Sequence, residues 1–102
     1  MTQDSIRIDV PREHIAEFCR RHHIRRLALF GSVLRDDFTP DSDVDVLVEF
    51  ESGQTPGFAF FAMQEELSGI LGRRVDLNTV GSLSKYFRDE VLAEAEELYV
   101  AT

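Results

Sequence analysis

The stretch Asp43-Val44-Asp45-Val46-Leu47-Val48-Glu49-Phe50 alternates with a period of two and constrains the chain more than any other. A β-strand sends successive side chains to opposite faces, so Val44, Val46, Val48 and Phe50 share one face while Asp43, Asp45, Leu47 and Glu49 share the other. The strand therefore opens with two carboxylates on one side. Separated from Asp43 by ten residues, the pair Gly31-Ser32 ends another apolar run, Arg25 to Phe30. A glycine there suits a sharp turn that brings backbone close to a ligand. Ser32 is placed to cap a short helix, Ser32 to Asp36, and to offer a hydroxyl and backbone N–H groups to an anion. Alone, Gly-Ser reads as a turn, and Asp-x-Asp as a solvated strand end.

Around this segment the pattern predicts a first helix from Pro11 to His22, with Ile15, Phe18, Cys19 and His22 at helical spacing. Residues 1–9 carry little signal. The run Phe58 to Leu71 is too long for a strand and predicts a helix that buries Phe58, Phe61, Met63, Leu67, Ile70 and Leu71, ended by Gly72. Arg73 to Asn78 predicts a third strand. A last helix, capped by Ser82 or Ser84, is expected to carry Leu83, Phe87, Val91, Ala95 and Leu98 on one stripe, with Tyr99-Val100 docking or adding a short edge strand.

Asp76 lies in the third strand between Val75 and Leu77, where a carboxylate is disfavoured unless its face has a use. For the glycine turn to meet Asp43, the first two strands must be antiparallel. The helix between the second and third strands is a crossover, which normally returns the chain parallel. Asp76 then lies beside Asp45. The expected fold is α/β, a three-stranded mixed sheet with the Asp43–Phe50 strand central and helices packed mainly on the apolar face. At 102 residues the expectation is one domain, 1–102, with its core at about 11–100.

Carboxylates crowded on one face repel unless a cation or proton lies between them, and Mg²⁺ takes such oxygens together with substrate phosphates. The net charge of −8 argues against a general nucleic-acid binder. The basic cluster Arg20, Arg21, His22, His23, Arg25 and Arg26 reads either as cations at a helix C-terminus or as a rim for phosphate or an acidic partner. No apolar run reaches membrane-span length and the start lacks a signal-peptide pattern, so no membrane association is expected. The single Cys19 excludes an internal disulfide and fits a cytoplasmic setting. No spaced His/Cys set suggests zinc.

Gly31-Ser32, the interval, Asp43-Val44-Asp45 and the later strand Asp76 together resemble the signature of the DNA polymerase β-type nucleotidyltransferase superfamily. The context GSVLRDDFTPDSDVDVLVEF is similar to its minimal nucleotidyltransferase branch, often encoded beside a HEPN-domain protein as a toxin–antitoxin pair. The resemblance covers residues 11–100. It implies the polymerase β-type nucleotidyltransferase fold and an enzyme that moves AMP, or another nucleoside monophosphate, from ATP to a hydroxyl. By resemblance the acceptor is a tyrosine of a HEPN toxin, silenced by modification within a hetero-oligomer. Gly31 and Ser32 would hold the triphosphate, with Arg35 a possible phosphate contact or a plain surface cation. Asp43 and Asp45 would bind Mg²⁺, one ion or two, and Asp76 would complete the metal site and help activate the acceptor. Leu34 and Asp36 depart from the small residue and glycine common in relatives. Two other readings compete: an antitoxin that neutralises its partner by contact alone, and a transferase acting on a small molecule such as an antibiotic.

Overall fold

The computed structural model describes residues 8–101; the expectation for residues 1–9 falls largely outside them. Helix α1 spans Arg12–Arg21, strand β1 Ile24–Phe30, a 3-10 helix Gly31–Leu34 and strand β2 Val44–Phe50. Helix α2 (Ala59–Leu71), strand β3 (Val75–Thr79), a 3-10 helix Val80–Ser82, helix α3 (Arg88–Glu94) and strand β4 (Glu96–Val100) follow. The sheet order is β3-β2-β1-β4. Strand β1 is antiparallel to both β2 and β4, whereas β2 and β3 are parallel across the α2 crossover.

The expected three-stranded sheet is therefore a four-stranded one. Beta-2 lies between β1 and β3 as expected, and β1, expected at the edge, is interior. The fourth strand comes from the expected long last helix, which stops at Glu94; Ala95 is already extended, at ψ 138°. Leu98 and Tyr99 accordingly pack against the main core from β4. The caps also differ. Ser82 closes a reciprocal pair with Thr79 on the 3-10 helix before α3, and α3 itself starts at Phe87 without a side-chain cap.

Helices α1 and α2 bury the valine face of β2. Ile15, Phe18 and Cys19 of α1 and Met63, Leu67 and Leu71 of α2 join Leu27, Leu29, Val44, Val46, Val48, Val75 and Leu77. Fully burying an aliphatic side chain of this kind contributes about 1.5–3 kcal/mol, so this layer dominates the stability. Burial raises the Cys19 thiol to about 12, with Arg20 opposing weakly, which leaves it an inert core group. Alpha-2 presents Phe60, not Phe61, to the core: Phe58 and Phe61 are 97% and 72% exposed. Their positions fall off the 63–67–71 stripe by about a third of a helical turn or more.

On the opposite face α3 lays Val91 over Phe30 and Leu47. This second layer is small, and Asp43 and Asp76 on the same face remain exposed. The free edge of β3 is closed by α2, because the Val75 N–H donates to Ser68 Oγ at 3.1 Å and the Leu77 N–H to Gln64 Oε1 at 2.9 Å. Side chains thus satisfy the donors that would otherwise recruit another strand.

Within the basic cluster at the end of α1, ion pairs tie neighbouring elements together. Arg21 and His22 meet Glu66 of α2, and Arg25 and Arg26 meet Glu49 of β2 at 2.6 and 2.9 Å. It also lies by the start of β1, away from the carboxylate end.

Candidate active site

Strand pairing assembles the site. Phe30, the last residue of β1, is in register with Asp45, and Asp45 is in register with Asp76 on β3. Gly31 follows Phe30 directly, so the chain leaves β1 over the Asp45 side chain. It does so at φ +77°, in the left-handed region, and a Cβ at position 31 would lie 3.3 Å from the Asp45 carboxyl carbon and collide with Oδ2. The left-handed conformation calls for glycine here, and a side chain would in addition push the Asp45 carboxylate aside.

Ser32 does not cap the following turn. The 3-10 helix Gly31–Leu34 begins after Phe30 without a side-chain cap, and Ser32 is its second residue, with the Ser32 carbonyl accepting the Arg35 N–H at 2.9 Å. The turn is a 3-10 one and shorter than the expected Ser32–Asp36 helix. Ser32 nonetheless stays beside Gly31, half-buried.

Asp43 and Asp45 alternate with buried Val44 and Val46 and so leave the sheet on the face opposite the main core. Asp76 leaves the same face from β3. The electrostatics record the crowding: burial, then the charges of Asp76 and Asp43, push the Asp45 carboxyl up to about 6, with Arg35 opposing. A cation arriving beside these carboxylates would relieve their mutual repulsion and displace the Asp45 proton to solvent. Arg35 stands at the end of the 3-10 helix, 3.8 Å from Asp37 and 3.6 Å from Glu94 at the end of α3.

One residue of this face was not singled out from the sequence. Arg74, two before Asp76, donates from Nε to Asp43 Oδ1 at 2.6 Å. The period-two rule that places Asp76 also places Arg74 on the carboxylate side. Asn78 follows on the same side, its amide donating to the Asp76 carbonyl at 3.0 Å.

The donor set fits a hard divalent cation that keeps other ligands. Among the described residues no group of three or more His, Cys, Asp or Glu side chains converges closely enough to hold a metal ion by itself. Mg²⁺ is commonly held by one or two carboxylates, waters and substrate phosphates, and Asp45 flanked by Asp43 and Asp76 supplies carboxylates of that kind.

Comparison with known proteins places the chain in a family. Residues 11–98 match the nucleotidyltransferase domain family. The protein adenylyltransferase MntA of Thermococcus cleftensis is 39% identical over 82 residues, covering 79% of this chain and 81% of that one. A solved structure described as a minimal nucleotidyltransferase superposes with a TM-score of 0.68 at 40% identity, over 82% of this chain and 85% of that chain. The fold also recurs, with a TM-score of 0.64 at 21% identity over 99% of this chain and 74% of that one, in a complex of a tri-AMPylated Shewanella oneidensis HEPN toxin with its MNT antitoxin. The chain belongs to the nucleotidyltransferase domain family and stands, in fold and in sequence, with the minimal nucleotidyltransferases.

Proposed function

We propose that this nucleotidyltransferase moves AMP from ATP, with Mg²⁺, to a tyrosine hydroxyl of a partner HEPN-domain protein, and so acts as that protein's antitoxin in the cytoplasm. The observation that carries the reading is the seating of Gly31 against Asp45 with Asp76 in register beside it. That contact joins a close-approach backbone turn to a cluster of carboxylates, the pairing that phosphoryl chemistry needs. The names of the Thermococcus relative and the Shewanella complex support adenylylation and a HEPN partner.

In this reading Gly31 and Ser32 receive the triphosphate, and Arg35 offsets its charge. Asp43 and Asp45 would hold the cation, and Asp76 would complete the set. The metal, one ion or two, would supply charge neutralisation for phosphoryl transfer. Asp76, exposed at the edge of the site, orients the acceptor hydroxyl and takes its proton. The acceptor oxygen forms a bond to the α-phosphorus, the α–β bridging bond breaks, and pyrophosphate leaves.

The test is pyrophosphate release from ATP by the purified chain with its partner. Release that requires Mg²⁺ and the partner, and is lost in Asp45→Asn, is the expected result. Release undiminished in Asp45→Asn overturns the reading.

A further inference from the structure

Arg74 is the cation nearest the carboxylates that the proposed metal would use. Its Nε donates to Asp43 Oδ1 at 2.6 Å, and among the described residues Asp43 is its only ion-pair partner. The Arg74 backbone is fixed, since its carbonyl accepts the Val44 N–H at 2.9 Å where β2 and β3 begin to pair. The Arg74 side chain is not: it is 76% exposed, against 46% for Asp43. A fixed root and a solvated head describe a cation that can leave its carboxylate without disturbing the sheet.

A carboxylate oxygen engaged by a guanidinium offers its lone pairs less readily to a metal. Of the two strand-opening carboxylates, Asp43 is thus the one whose oxygen Arg74 engages.

We infer that Arg74 is a displaceable counter-ion, holding Asp43 beside Asp45 in the metal-free protein and competing with the incoming divalent cation for Asp43 Oδ1. The inference rests on the metal-binding reading above. It makes Arg74 a positioning residue that sets the metal concentration at which the site fills.

The test compares Arg74→Gln with Arg73→Gln. Arg73 carries the same charge one residue away, yet its guanidinium lies over the Phe38 ring at 4.9 Å and reaches the Pro40 carbonyl at 3.4 Å. Mn²⁺ binding is measured at low ionic strength, without nucleotide, by electron paramagnetic resonance of the free ion. Loss of the competitor in Arg74→Gln is expected to tighten Mn²⁺ binding by about twofold to fivefold, the scale of an exposed ion pair. Arg73→Gln is expected to leave it within error. The metal-free melting temperature of Arg74→Gln is expected to fall, and its gain on adding Mn²⁺ to exceed that of the original protein. Unchanged Mn²⁺ affinity in Arg74→Gln, or equal tightening in both variants, overturns the inference while leaving the metal site standing. An original protein that binds no Mn²⁺ overturns both.

Discussion

The Asp45 carboxylate lies in the space into which a Cβ at Gly31 would project, so the two residues meet only because position 31 carries no side chain. The contact follows from register: Phe30 faces Asp45 across the β1–β2 pair, and the next residue must turn over it. Gly31→Ala is the sharpest probe. The carboxylate can rotate away from a new methyl group, but φ +77° remains strained for alanine. The expected outcome is a loss of stability of about 1 kcal/mol or more. Displacement of Asp45 by the order of an ångström is expected to lower transfer activity about 10²-fold. Thermal melting and initial rates check the two parts separately.

The raised Asp45 carboxyl gives a pH dependence with a definite sign. Its folded value is about 6 against an ordinary 3.8, so between those pH values the folded protein holds a proton that the unfolded chain has lost. Stability from this group is therefore lost as pH rises through that window. The metal-free protein is expected to melt at a lower temperature at pH 7.5 than this group alone would allow at pH 5. Asp45→Asn is expected to melt higher than the original at pH 7.5 and to converge with it toward pH 4. Mg²⁺ is expected to stabilise the original more than the variant, with the effect fading as pH falls below about 6. Melting curves across pH, with and without Mg²⁺, test each sign.

The closed edge of β3 yields a prediction independent of chemistry. Gln64→Ala leaves the Leu77 N–H without its partner. The expected cost is about 1 kcal/mol, or about 4–8 °C in melting temperature for a domain of this size. Gln64→Glu keeps an acceptor and is expected to recover most of that loss. Equal melting temperatures for Gln64→Ala and the original protein would show that water replaces the bond.

The residues that share this face were legible because strand periodicity is local. Val44, Val46 and Val48 fix the face of β2, and Asp43 and Asp45 follow by alternation. The parallel β2–β3 pairing was recoverable from the crossover helix, and the antiparallel β1–β2 pairing from the requirement that the Gly31 turn reach Asp43. What the sequence concealed depends on contacts distant in the chain. Residues 95–100 hold no glycine or proline to end the last helix. Only pairing with β1, through Leu29↔Glu96 and Leu27↔Tyr99, draws them into a strand. Phe58 and Phe61 drew attention by hydrophobicity, whereas helix phase chose Phe60. Arg74 was passed over because an exposed arginine becomes informative only when Asp43 is found at its end.

On the proposed function, the chain modifies its partner covalently through Asp43, Asp45 and Asp76. The most direct measurement is the intact mass of the proposed HEPN-domain partner co-expressed with the original chain and, in parallel, with Asp43→Asn. The account predicts a partner heavier by one or more AMP groups in the first case, and an unmodified, toxic partner in the second. A partner of unmodified mass, silenced equally well by both chains, would contradict it and assign the antitoxin effect to contact alone.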